Sequence, residues 1–155
     1  MIAPAGAAPA HAHAALREAV WAANRDVVAA GLVVLTWGNV SGVDRAAGVM
    51  AIKPSGVPYD ALRPDDIVVL ALDTGAVVDG ALRPSSDTPT HRHLYRAFPT
   101  IGGIVHTHSR HAVAWAQAER DLPCLGTTHA DHFHGPVPVT RRLAVRASRS
   151  SPRRR

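Results

Sequence analysis

The chain has 155 residues, 46% of them hydrophobic, enough for one globular domain with its own core and too apolar for a disordered chain. The formal charge of +5 suggests nucleic acid, but residues 141–155, RRLAVRASRSSPRRR, hold seven arginines and no acid. Taking that +7 from +5 leaves −2 on residues 1–140, so the body of the chain is slightly acidic and the excess sits at one end. The apolar runs GLVVL and DIVVLAL are too short to cross a bilayer. The Ala/Pro-rich N-terminus lacks the charged start and apolar stretch of a secretory signal, and the lone Cys124 excludes a disulfide framework. A cytoplasmic protein without a nucleic-acid or membrane partner is expected, with residues 143–155 a disordered, solvated tail.

Residues 10–30 predict an amphipathic helix, because Leu16, Val20, Ala23 and Val27 recur every three or four residues and Gly31 supplies a stop. Short β-type runs follow at 32–36, 48–53 and 66–72, separated by Gly, Pro, Asp and Ser clusters. SSDTP at 85–89 predicts a helix start, with Ser or Asp as cap and Pro near the first turn, running to about Phe98. IGGIVHTH reads as a strand, and Ser109 as the cap of a helix to about Glu119. Residues 124–129 and 136–140 read as further short strands. The pattern is a single mixed α/β domain without internal repeats.

Ten histidines need sorting. His11 and His13, like His91 and His93, are two apart on predicted helices and point in different directions. His106 and His108 are two apart on a predicted strand, where i and i+2 share a face. Two imidazoles there can converge on zinc or a similar divalent ion, and they stand where a strand hands over to a helix. A bare H-x-H is a weak signal, since partly buried structural histidines produce it as well. A third donor has several candidates: Asp87, or His129, Asp131, His132 and His134 of THADHFHG.

Three small polar turns could present N–H groups and hydroxyls to an anion: TWGNVSG at 36–42, KPSG at 53–56 and PSSD at 84–87. Ser85 and Ser86 precede a predicted helix N-terminus, which favours phosphate, and Lys53 adds a charge. Each turn alone reads equally as an ordinary cap or β-turn. Together with a paired-histidine site they point to a phosphorylated small molecule. None is a nucleotide-binding loop.

The segments LTWGNVSGVD, IKPSGVPYD, PSSDTPTHRHLYRAFPTIGGIVHTHSRHAVAWAQA and GTTHADHFHG, in this order, closely resemble the L-ribulose-5-phosphate 4-epimerases of the class II aldolase/adducin family. The resemblance runs from about Leu16 to Arg142. It implies an α/β fold, a three-layer α/β/α sandwich around a mixed, largely antiparallel sheet, spanning an incomplete domain over 1–142, and a homotetramer. It implies that His106 and His108 bind a divalent metal, most often zinc, with Asp87 a carboxylate at the same site. Gly38, Asn39, Ser55, Gly56, Ser85 and Ser86 match substrate and phosphate contacts, with Lys53 and Thr127 beside them. Asp131 matches a catalytic acid/base, whereas His129, His132 and His134 match no ligand. The implied reaction interconverts L-ribulose 5-phosphate and D-xylulose 5-phosphate, in L-arabinose catabolism, by breaking and remaking the C3–C4 bond. In the family a third metal histidine and a catalytic tyrosine come from a segment further on. Because AVRASRSSPRRR matches nothing in the family, a truncated or frameshifted end is expected, with a weakened metal site, no opposite-face proton donor and an inactive chain. The alternatives are a class II aldolase acting on a deoxyketose 1-phosphate, whose branch typically carries Glu where this chain has Asp87, and a non-catalytic adducin-like binding protein.

Overall fold

The computed structural model of the chain describes residues 13–141. His11 and the Arg-rich segment over 143–155 lie outside them. Two compact units are distinguished, residues 1–109 and 110–155.

In the first unit, side-chain alternation along two central strands sorts the core into two faces. The elements are α1 (Ala14–Ala29), β1 (Asn39–Asp44), β2 (Val49–Ile52), a 3-10 turn (Pro64–Asp66), β3 (Val68–Ala71), β4 (Val77–Asp79), α2 (Thr88–Ala97) and β5 (Gly103–His106). The sheet order is β4-β3-β2-β1-β5, and every pairing is antiparallel. Val49, Ala51 and Val69 pack on Val20 of α1, with Leu16 and Trp21 beside them. Met50, Ile52, Val68 and Leu70 pack on Tyr95 of α2. A strand alternates its side chains, so the same residues that cover one helix cannot cover the other. The result is the expected three-layer order, helix on sheet on helix.

Polar contacts pin α1. Asn24 is fully buried and its amide takes both backbone groups of Val40: Nδ2 donates to Val40 O at 3.0 Å and Val40 N donates to Oδ1 at 2.9 Å. Gly42 faces α1, where a Cβ would come within 2.9 Å of the Val20 side chain, so glycine lets helix and strand close up. Arg17 reaches across to Asp79 of β4 at 2.7 Å.

The second unit holds α3 (Arg110–Gln117) and α4 (Thr127–Phe133). Leu122 and Val137 exchange both backbone hydrogen bonds at 2.9 Å. Among the described residues no helix is long and apolar enough to cross a membrane.

Four expectations for local structure are corrected. Residues 32–36 form no strand: Leu35 has φ +55° and Gly38 φ +99°, which fold 34–37 into a tight turn closed by a Val34–Trp37 bridge. The strand begins at Asn39 instead, inside a motif that reads as a turn, because pairing on both sides overrides the poor β-propensity of Asn, Ser and Gly. Residues 124–129 are not a strand, since Gly126 ends the extended chain and α4 starts at Thr127. Residues 136–140 contribute only the Val137 bridge.

The buried polar groups of this core can be tested one at a time. Asn24→Leu strands two buried backbone groups of Val40 and should cost roughly 2–4 kcal/mol in urea unfolding. His91 of α2 is buried, and burial pushes its imidazole below the ordinary value of 6.5, partly offset by Asp87 and reinforced by His106. The folded state therefore favours neutral His91. Its contribution to stability is complete above about pH 6.5 and drains away as the pH falls below that value. The urea midpoint should drop on acidification, and His91→Leu should flatten the drop.

Candidate active site

Backbone register builds the site first. Asn39 of β1 lies directly across from His106 of β5, so both side chains emerge on the α2 face. His108 follows two residues later, and its Nε2 stands 2.8 Å from the Nε2 of His106. At that distance one ring nitrogen donates to the other, so the two Nε2 atoms meet on the same side of the strand end. Trp37 packs against the His108 ring with centroids 5.8 Å apart.

Gly38 makes this approach possible. A Cβ at its φ of +99° would sit 2.9 Å from the His106 carbonyl oxygen and 3.2 Å from the Val33 side chain. The buried Tyr59 hydroxyl donates to the Gly38 carbonyl at 2.9 Å, fixing the peptide from its other side.

The two Ser-bearing turns are tied to each other. Ser55 N donates to Arg83 O at 2.9 Å, and Ser85 N donates to Lys53 O at 3.2 Å, around a Pro54–Pro84 bridge. Two of the N–H groups expected to face an anion are thus spent in holding the turns together. The Ser55 and Ser86 hydroxyls make no hydrogen bond among the described residues and stay available. Lys53 is buried, and its Nζ donates to Val57 O at 2.6 Å and lies 4.7 Å from the Tyr59 ring centre. No carboxylate pairs with it among the described residues, and burial lowers its pKa. Its partners are a backbone carbonyl and an aromatic ring rather than an acid, and it lines one cavity with both serine-bearing turns.

Asp87 is the N-cap position of α2, yet its side chain makes no cap hydrogen bond. It turns to Asn39 instead: Asn39 Nδ2 donates to Asp87 Oδ2 at 2.7 Å. Ser85 Oγ lies 3.4 Å from the same oxygen. With its NH2 group committed, Asn39 leaves Oδ1 buried and without a partner among the described residues.

These groups enclose one cavity of about 420 Å³. It is lined by Gly38, Asn39, Lys53, Ser55, Gly56, Ser85, Ser86, Asp87, His106 and His108, ten residues singled out from the sequence, and also by Thr36, Trp37 and Pro54. Thr36 and Trp37 lie within a segment that sequence reading flagged but were not chosen from it. Nothing in the sequence alone marks Tyr59 as a support for Gly38. Thr127 and Asp131 lie one turn apart on α4 in the second unit, on one helix face and exposed. His129 Nε2 is spent on Gly135 O at 2.8 Å and His132 Nδ1 on Thr128 O at 2.8 Å. Among the described residues no group of three His, Cys, Asp or Glu side chains gathers closely enough to hold a metal.

The profile described as Class II Aldolase and Adducin N-terminal domain matches residues 18–150. The chain belongs to the class II aldolase/adducin family. Within the family it is 56% identical over 129 residues to L-ribulose-5-phosphate 4-epimerase UlaF of Salmonella paratyphi C, across 83% of this chain and 56% of that protein. The same figures hold for the UlaF protein of Salmonella choleraesuis. The chain thus spans little more than half the length of these curated relatives. Among solved structures, an L-fuculose 1-phosphate aldolase superposes with a TM-score of 0.67 at 32% identity, over 71% of this chain and 51% of that one. L-fuculose-1-phosphate aldolase from Thermus thermophilus gives 0.62 at 29% identity, over 77% and 60%.

In this class II aldolase/adducin chain, Gly38→Ala is the sharpest probe of the site's geometry. The added Cβ cannot clear the His106 carbonyl, so stability should fall by roughly 1–3 kcal/mol. Ligand binding at the cavity should be lost at temperatures where the variant is still folded, as read by calorimetric titration beside a melting curve.

Proposed function

We propose that the cavity binds a phosphorylated pentulose and that the chain is of the L-ribulose-5-phosphate 4-epimerase type, an isomerase that breaks and remakes the C3–C4 bond. The observation that carries this reading is the meeting, in one cavity, of two touching imidazoles with a buried lysine that has no carboxylate partner, and with serine hydroxyls that have no partner, among the described residues. The 56% identity to curated epimerases supports it.

On this reading the phosphate is held by Lys53 Nζ, the Ser55 and Ser86 hydroxyls and the Gly56 turn. Asn39 Oδ1, the orphaned acceptor, takes a hydrogen bond from a sugar hydroxyl. His106 and His108 supply two nitrogen donors, a set suited to zinc or a similar divalent ion. Asp87, assigned to the same metal site, lines the same cavity but is turned to Asn39 and does not close up with the two imidazoles into a three-donor group here. A divalent cation, when bound, supplies the Lewis acid that stabilises negative charge on the sugar oxygens. The hydrogen on C4 is not acidic, so inversion there needs more than a base. Loss of the C4 hydroxyl proton and cleavage of C3–C4 yield an enediolate and glycolaldehyde phosphate. The aldehyde turns over while the cradle keeps its phosphate, and the bond re-forms on the other face. Asp131 is assigned the proton at the C4 oxygen on one face, with Thr127 near the substrate. Residues 1–142 are assigned to the catalytic fold, with a homotetramer as its assembly. A cytoplasmic setting and a place in L-arabinose breakdown complete the proposal.

Aldol cleavage of a ketose 1-phosphate is the second reading, favoured by the solved neighbours named as fuculose-phosphate aldolases. Against it stands the carboxylate after Ser85-Ser86: Asp87 is short and bonded to Asn39 rather than free to act as a base.

The test is metal content and isomer exchange of L-ribulose 5-phosphate on the purified chain, with aldehyde release assayed in parallel. Retained divalent metal is expected, lowered at least about tenfold in affinity by His106→Asn or His108→Asn. Exchange without net aldehyde supports the epimerase, net aldehyde supports the aldolase, and absence of metal and of sugar-phosphate binding rejects both.

A further inference from the structure

Behind the cavity lies a polar cluster that the proposed reaction does not use. Ser41, His91 and Tyr95 are 1%, 2% and 0% exposed, inside the otherwise apolar face built from Met50, Ile52, Val68 and Leu70. Ser41 Oγ lies 2.7 Å from His91 Nδ1 and 2.8 Å from the Tyr95 hydroxyl. An aliphatic trio of similar volume would fill this space without burying polar atoms, so the cluster is not explained by packing.

Its spacing offers an explanation. Asn39 and Ser41 are two apart on β1, about 6.8 Å along a strand. Asp87 and His91 are four apart at the start of α2, about 6 Å along a helix. The near match lets strand and helix be joined by successive polar rungs on one face: Asn39 to Asp87, then Ser41 to His91, with Tyr95 one further turn along closing on Ser41. Apolar contacts tolerate a helix that slides or rotates by a fraction of an ångström, whereas hydrogen bonds of 2.7 Å do not. The first rung is at the cavity and the others are behind it. The charged or titratable groups whose fields reach His91 are Asp87 and His106, both of which line the cavity.

We propose that Ser41, His91 and Tyr95 are positioning residues: a buried ladder that fixes the start of α2 against β1, and so holds Asp87, Ser85 and Ser86 in register with His106. This rests on the reading that the cavity takes a phosphate and a divalent cation.

The test uses the full chain and four proteins: the parent, His91→Leu, Ser41→Ala and His91→Asn, whose amide nitrogen can stand where the ring Nδ1 stood. Inorganic phosphate and Co2+ are titrated separately by calorimetry, beside melting curves and amide hydrogen exchange. Expected are an affinity loss of about tenfold or more in His91→Leu and Ser41→Ala at melting temperatures within a few degrees of the parent, and recovery to within about threefold in His91→Asn. Parent-like affinity in His91→Leu overturns the proposal. So does a loss that only tracks melting temperature and is not rescued by asparagine, which would make the cluster plain core. If the parent binds neither probe, the functional reading fails and the ladder is judged by exchange alone. Faster exchange confined to the first turns of α2 in His91→Leu upholds it, and unchanged exchange, or equal acceleration in β2 and β3, rejects it. Should His91→Leu not fold, Ser41→Ala carries the same comparison.

Discussion

The pairing of Asn39 with His106 across β1 and β5 is the constraint on which the cavity depends. A slip of β1 by one residue in that ladder would turn Asn39 to the α1 face and bring Val40 round opposite His106. Several separate features hold the register. Asn24 grips the backbone of Val40, Gly42 admits Val20, and Ser41 is bonded to α2. The positions that secure the strand thus alternate with, or sit next to, the one that serves the site. Fold and chemistry share six residues of chain.

The site is built at some cost to local stability. Asp87 could cap α2 and instead faces Asn39. Among the described residues Lys53 is buried without a carboxylate, and Asn39 Oδ1 without a donor. Leu35 and Gly38 hold left-handed backbone next to the cavity wall. Two of these departures are ones a ligand of matching chemistry would relieve: an anion at Lys53, a hydroxyl at Asn39. Strain and unpaired polarity concentrated at one concave place is the physical signature of a binding site, independent of any likeness to other proteins.

Much of this was legible in the sequence, though not all by the same route. Periodicity located α1, apolar runs between turn residues located β2 and β3, and the SSDTP cap signal located α2. The H-x-H spacing brought His106 and His108 together, and their rings do meet, although β5 ends at His106 and His108 stands beyond the strand predicted to hold it. Strand β1 escaped, because NVSG has neither alternation nor β-propensity; only its neighbours on both sides make it a strand. Helix α4 escaped for the opposite reason: seven residues are too few for a period to declare itself. At the cavity, the residue types were readable but not their commitments. That Ser55 and Ser85 would spend their N–H groups on each other's turns, and that Asn39 would claim Asp87, are tertiary facts carried by no local pattern.

The bridge between the KPSG and RPSS turns has a thermodynamic consequence. Each turn carries a proline, whose ring fixes φ, and each donates an N–H to the other. Loops that form phosphate sites commonly lose freedom when the anion arrives, and that loss subtracts from affinity. Here the ordering has been done during folding, by Pro54, Pro84 and two cross-turn hydrogen bonds. On the proposed function, a small dianion closing on Ser55, Gly56 and Ser86 would find donors already arrayed, and little of its binding free energy would be spent on ordering the protein.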